Sequence, residues 1–437
     1  MDKRLSAEFP SYSELASVRP EPLGSVQASL AAGEMMLAML VGETRTFVWA
    51  VTGEAAQLYR VERGAEDLIE TVTVLRQSLE PDQALHGDRL RAFPVDIGHQ
   101  LYRDLIGPAE DLVAQAGHLI FVPDGALQSL PPAVLVTRTV ATAPVTVAEH
   151  RNVDWLGVAK ATSLLPSVSS LGILRSGLGG KRSAEKPFIG FGDPRLKRQI
   201  RKAARASRPS KTVSPGLFAP GGEAWREALS QFAELPDTAD ELRHIARLLK
   251  APEGDVFLRD RVTEGFVREQ DLERYRVVQF ATHGLMAGDF QGLLEPALVM
   301  TPPLYLIPSD DGLLTASEIT QLRLDADWVI LSACNTAADD GTPGAEGLSG
   351  LAKAFFFAGG RTLLVSHWEV ASETAVALTT GLFEALAKDP GIGRAEAFRR
   401  SIAAIVRDGD TARFAHPLFW APFTVVGEGG AGQPITN

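Results

Sequence analysis

The chain has 437 residues, 45% hydrophobic and 22% charged, the composition of an ordinary globular protein with a large core and little disorder. A single core stops growing at roughly 250–300 residues, so more than one structural unit is expected. The net charge of −11 argues against a general nucleic-acid binder, and a direct nucleic-acid partner is not expected. One cysteine excludes an intramolecular disulfide or a cysteine-based zinc site, and the eight histidines show no metal-ligand spacing, so neither a metal nor another cofactor is expected.

The N-terminal "MDKRLSAEFPSYSEL" lacks the apolar segment of a signal peptide. No stretch approaches the ~18 continuous apolar residues that span a bilayer, and "SLAAGEMMLAMLVG" is interrupted by Glu34. The reading is a cytoplasmic protein with no membrane partner. In the first half, "TRTFVWAVT" reads as a strand, followed by a helical stretch to about residue 80. "HLIFVP" reads as a buried strand that ends in a Pro-Asp-Gly turn. With no cysteine and no catalytic pairing, residues 1–180 are expected to form a structural domain.

Residues 177–216 differ in composition. The strand-like "PFIGFG" runs into a basic stretch near 195–211 that carries Lys197, Arg198, Arg201, Lys202, Arg205 and Arg208. A solvated loop, or a docking or cleavage segment, fits that pattern. Residues 181–437 alternate more regularly. "DTADELRHIARLLK" is an amphipathic helix with Leu242, Ile245, Leu248 and Leu249 on its apolar face and a capping Asp or Thr. The runs "DVFL", "RVVQFAT", "PALVM", "DWVILSA", "RTLLVS" and "PFTVV" are continuously apolar, as strands of a helix-covered parallel sheet are. "EGLSGLAKAFFFAGG" is a helix stopped by Gly359 and Gly360. The expectation is an α/β, doubly wound domain.

Ligands of such sheets bind beyond the carboxyl ends of the strands. Three of the runs end in reactive residues: "RVVQFAT" in His283-Gly284, "DWVILSA" in Cys334, and "RTLLVS" in His367-Trp368-Glu369. A thiol with a pKa of about 8.5 is only a few per cent ionised at neutral pH, and a neighbouring histidine raises that fraction and can protonate a leaving amine. The amides of Gly284 and Cys334 could form an oxyanion hole. Each residue also has a plainer role open to it. Cys334 could be a small buried hydrophobe, His367 competes with His283 as base or is structural, and Trp368 could simply pack. A histidine and a cysteine at two strand ends about 50 residues apart match the spacing of caspase-like peptidases.

"YRVVQFATHG", "DDGLLTASEI", "DWVILSACNTA", "AEGLSGLAKAFFFAGGRTLLVSHWEV" and "HPLFWAPFTVVG" resemble the CHAT domain, a family of caspase- and separase-like cysteine peptidases. "AMLVGETRTFVWAVT", "LIFVPDGALQSLP" and "LLPSVSSLGILR" resemble its N-terminal portion. The resemblance implies a caspase-like doubly wound sheet with an N-terminal pseudo-caspase half and a catalytic half. It also implies a His283/Cys334 dyad and cleavage of a protein substrate. Members are often joined to tetratricopeptide repeats, none of which is visible here, and act as effectors switched on by a sensor protein, including in prokaryotic defence. Many members read Trp-Pro-Val-Asp-Asp where this chain has Trp368-Glu369-Val370-Ala371-Ser372, which removes the acidic pair that a basic P1 preference would depend on, although Glu369 could substitute. Only the loop "NTAADDGTPGA" and one helix separate the Cys334 strand from the next, so activation by cutting there is not expected. Trp368 and Glu369 are the expected substrate-binding residues. The competing readings are a non-catalytic interaction module on the same fold and a different thiol acyl hydrolase.

Overall fold

The computed structural model describes residues 20–81, 85–86, 89–176, 184–197, 223–289, 293–303, 310–332, 350–370, 372–408 and 412–430. Its centre is an eleven-stranded mixed sheet. The first half supplies an antiparallel meander, β1 (Glu34–Val41), β2 (Thr46–Thr52) and β3 (Ala56–Val61). After the short ladder of β4 (Leu85–His86) and β5 (Arg89–Leu90) come β6 (His118–Val122) and β7 (Ala161–Leu164), parallel to β1.

The second half supplies β8 (Lys186–Pro194), β9 (Val256–Arg259) and β10 (Tyr275–Ala281). A separate antiparallel sheet of β11 (Gly284–Leu285), β12 (Ala297–Val299) and β13 (Leu313–Thr315) follows. The chain then returns to the main sheet with β14 (Trp328–Leu331), β15 (Thr362–Ser366) and β16 (Phe423–Gly427). The spatial order is β3-β2-β1-β6-β7-β16-β15-β14-β10-β8-β9, so one sheet runs unbroken through residues 34–427. The halves join where β7 and β16 pair at Leu164 and Val426.

Alternate side chains of a strand point to opposite faces, which places the helices. In β10, Gln279 meets Glu241 of helix α1 (Asp237–Leu248), while the adjacent Phe280 packs against Phe355 of helix α2 (Gly350–Ala358). The two helices therefore cover opposite faces, and β10 is buried on both. Helices α3 (Ser372–Lys388) and α4 (Arg394–Asp408) continue the α1 layer toward β16 and β7. Gly359 ends α2 with φ +112°, and a Cβ there would lie 2.1 Å from the Leu324 carbonyl oxygen, so only glycine fits this stop.

Two expectations are corrected. "PALVM" forms β12, which lies outside the main sheet. Its alternation serves two cores: Ala297 and Val299 face a small cluster with Leu285 and Leu313, while Leu298 and Met300 face the main one. A strand sandwiched between two cores reads as continuously apolar without being parallel. The expected Asp or Thr cap of α1 is also absent. Pro236 occupies the cap position, and the Thr238 hydroxyl accepts from the Asp193 amide (2.9 Å) and donates to the Leu235 carbonyl (2.7 Å).

Where β1 begins and β16 ends, the halves are tied by charge. Arg175 donates to Glu34 and to Glu428 (2.7 Å each), and Arg394 donates to Glu428 (2.8 Å). Burial would raise the Glu34 carboxyl, but hydrogen bonds from His118 and Arg175 outweigh it and hold the group well below the usual range. At the carboxyl end of β15, Arg76 of the helix Ala65–Arg76 donates to the Ser129 carbonyl of the first half (2.5 Å). It also donates to the His367 carbonyl of the second half (3.2 Å).

Candidate active site

The chain enters the second half at β8, adds β9 on one side, then crosses to place β10 on the other. That reversal makes the carboxyl ends of β8 and β10 a topological switch point, the position where open α/β sheets bind ligands. His283 stands two residues beyond β10. The small sheet fixes its backbone: the Val299 amide donates to the His283 carbonyl (2.8 Å), and the Thr282 hydroxyl donates to the Val299 carbonyl (2.5 Å).

The His283 Nε2–H donates to the Ala233 carbonyl oxygen at 2.7 Å, and the Phe232 ring lies 5.1 Å from the imidazole, centroid to centroid. A carbonyl can only accept, so in the neutral ring the proton sits on Nε2 and the lone pair on Nδ1. Burial pushes the imidazole below its ordinary pKa, opposed by the Ala233 hydrogen bond and the charge of Glu369. At neutral pH the ring is therefore uncharged, with Nδ1 able to take a proton.

β14 lies beside β10 in parallel register, Phe280 opposite Leu331, and the Ser332 amide donates to the Phe280 carbonyl at 2.9 Å. Adjacent strands are about 4.8 Å apart, so the chain leaving β14 toward Cys334 starts on the same rim as His283. Cys334 itself lies outside the described residues. Gly284 pairs with Leu298 next to the bonded His283–Val299 step, so antiparallel alternation turns its N–H away from β12, on the edge strand of the small sheet.

The third strand end is built differently. His367 is fully buried, its Nε2 within 3.1 Å of the Thr424 hydroxyl, and burial with the nearby Arg76 charge pushes its pKa down to about 3. Trp368 is fully buried too. Its indole N–H donates to the Leu418 carbonyl (2.9 Å), and the Arg76 guanidinium lies 5.6 Å from the ring centroid. Glu369 is exposed, close enough for its charge to act on His283.

Two features of the site escaped sequence reasoning. The Ala233 carbonyl is a backbone group and leaves no sequence signal. Glu241 did leave one, because it sits on the buried stripe of α1 with Thr238, Leu242 and Ile245. Its carboxylate accepts from Gln279 (2.6 Å) and Thr379 (2.7 Å), yet burial pushes its pKa up to about 7. It supports the sheet beneath the rim from the α1 face.

The chain is similar to several known proteins. Over 124 residues it is 35% identical to mouse tetratricopeptide repeat protein 28, a stretch that is 28% of this chain and 5% of that protein. Among solved structures it is similar to the Arg-specific cysteine proteinase gingipain R, with 11% identity and a TM-score of 0.41 over 84% of this chain and 75% of the other. It is also similar to the separase–securin complex of Saccharomyces cerevisiae, with 11% identity and a TM-score of 0.49 over 96% of this chain and 31% of the other. The CHAT domain model matches residues 95–428, which takes in every strand from β6 to β16 and the whole rim that carries His283. The chain belongs to the CHAT domain family.

Proposed function

We propose that the protein is a cysteine endopeptidase with Cys334 as nucleophile and His283 as general base and acid. The supporting observation is the state of His283: Nε2–H is tied to a backbone carbonyl and Nδ1 is the lone-pair nitrogen. It stands beside the strand that leads to the chain's one thiol. In this reading Nδ1 takes the thiol proton, the thiolate attacks the scissile carbonyl, and the amides of Gly284 and Cys334 stabilise the oxyanion. His283 then protonates the leaving amine, and water hydrolyses the acyl-enzyme with His283 again as base. Glu369 forms a subsite whose negative charge favours a basic substrate residue, and Trp368, fully buried, takes no direct part in it.

The first half, residues 1–180, carries no chemistry of its own and is the proposed binding place for an activating protein, with catalysis confined to residues 181–437. Such an enzyme would serve as a cytoplasmic effector, in defence or in signalling, switched on by its sensor. The test is a search for cleaved proteins in cells that express the wild-type chain or Cys334→Ala. Products present only with the intact thiol support the reading, and an unchanged product profile overturns it.

A further inference from the structure

Among the described residues, three non-glycine residues have left-handed backbone, and two of them, Asp193 (φ 46°) and Arg259 (φ 56°), lie at the carboxyl ends of the neighbouring strands β8 and β9. The β8–β9 register shifts between Gly192 and Pro194, so Asp193 is the extra residue of a bulge. Asp tolerates this conformation better than most residues, but a long side chain such as Arg rarely adopts it, and strain of this kind persists only where surrounding contacts impose it, typically near functional sites.

Here the Arg259 guanidinium donates to Asp193 Oδ1 at 3.0 Å and to Glu234 Oε1 at 3.4 Å, with Glu234 Oε2 3.3 Å away. The Arg259 carbonyl accepts from the Thr301 hydroxyl (2.7 Å), which itself accepts from the Arg195 amide (2.9 Å). Thr238 bridges the Asp193 amide to the Leu235 carbonyl. Segment 233–235 is thus held at Glu234 by an ion pair and at Leu235 by a hydroxyl. The carbonyl at its start, that of Ala233, receives the Nε2–H of His283.

We infer that Arg259, with Asp193 and Glu234, is a positioning residue for His283: the ion-paired clamp at the ends of β8 and β9 fixes the Ala233 carbonyl and so sets the tautomer and orientation of the imidazole. Among the described residues the His283 ring meets Ala233, Phe232 and the charge of Glu369, and none of the three clamp residues is among them. Their action passes through one backbone oxygen, whose displacement lets the ring turn or exchange its proton between nitrogens. This inference rests on the peptidase reading for its consequence, and on geometry alone for the tautomer.

The experiment uses the full chain as wild type, Arg259→Gln, Glu234→Gln, the double variant and Arg259→Lys. Nitrogen NMR of the ring, assigned with His283→Ala, reads the tautomer without any need for activity. The wild type is expected to show Nε2–H, and both single Gln variants a mixture of tautomers. In the activity arm, kcat is expected to fall about tenfold in each single variant with KM unchanged, because a displacement well under 1 Å at the base slows the chemical step without touching substrate contacts. The double variant is expected to be no worse than either single, since both break one link. Arg259→Lys is expected to recover part of the loss. A wild-type tautomer in folded Arg259→Gln and Glu234→Gln overturns the clamp, as do additive losses. A tautomer shift in a protein with no Cys334-dependent activity upholds the clamp and overturns the peptidase reading instead.

Discussion

His283 and His367 follow parallel strands on the same edge of one sheet, yet their surroundings differ in every respect that matters for chemistry. The chain after β10 turns outward into the small sheet, so His283 keeps part of its ring at the surface while Ala233 holds its Nε2–H. The chain after β15 stays against the core, where Trp368 and the first-half Arg76 cover it, and His367 is pushed to a pKa of about 3. A strand end therefore offers a catalytic position only when the loop beyond it also supplies a partially open pocket and a partner for one ring nitrogen. The difference lies in the two loops, since the strands themselves are alike.

Exchanging the two residues' roles by mutation breaks the comparison most strongly. His283→Ala is expected to lower kcat/KM by about 10²–10⁴-fold, the usual contribution of a general base, with the melting temperature nearly unchanged. His367→Ala is expected to keep most of the activity and to lose about 1–3 kcal/mol of stability, because it empties a buried, hydrogen-bonded site. Turnover and thermal unfolding of the two variants check both halves of the statement. Full activity of His283→Ala would reverse the assignment.

A pH series sharpens the contrast. The folded-state pKa of His367, about 3, lies below its ordinary value near 6.5, so between these values the unfolded chain binds the extra proton and stability rises with pH. Its contribution is complete above about pH 6.5 and is lost as pH falls, by up to about 1.4 kcal/mol per unit. Glu241, raised to about 7, contributes with the opposite sign, so the informative quantity is the difference between wild type and His367→Gln at each pH. The wild type is expected to lose about 1.6 kcal/mol relative to the variant between pH 6.5 and 5, read by denaturant titration. Equal slopes would mean that His367 is not held neutral by burial.

The smallest expected effect belongs to Glu369. Its charge favours protonated His283, so Glu369→Gln should move the acid limb of activity to lower pH. The carboxylate is exposed, so the displacement should be small and shrink as salt is added. A shift toward higher pH would contradict this placement.

Much of this architecture is readable from the sequence, because it follows from local pattern. "HLIFVP", "PFIGFG", "DVFL", "RVVQFAT", "DWVILSA", "RTLLVS" and "PFTVV" became β6, β8, β9, β10, β14, β15 and β16, and Gly359 stops α2 as its spacing requires. Strand direction is not local, and the antiparallel setting of β16 on β15 left no trace in an equally apolar run. The place of His283 at a strand end was legible, but its partner was not, since a backbone carbonyl is the same on every residue. Asp193 and Arg259 were equally hidden, because left-handed backbone is signalled by glycine and neither is one. Cys334 and the arginines from Arg198 to Arg208 lie outside the described residues, so the dyad and the basic segment rest on sequence.

The most direct test of the central claim is native alkylation of the single thiol. With one cysteine in the chain, iodoacetamide incorporation into the folded, full-length protein reports Cys334 alone. At about pH 6.5 the wild type is expected to react faster than an exposed model thiol, because a neighbouring base raises the thiolate fraction, and His283→Ala is expected to react more slowly. Labelling that requires denaturation, or that proceeds at the same rate in both proteins, would contradict the pairing of His283 with Cys334.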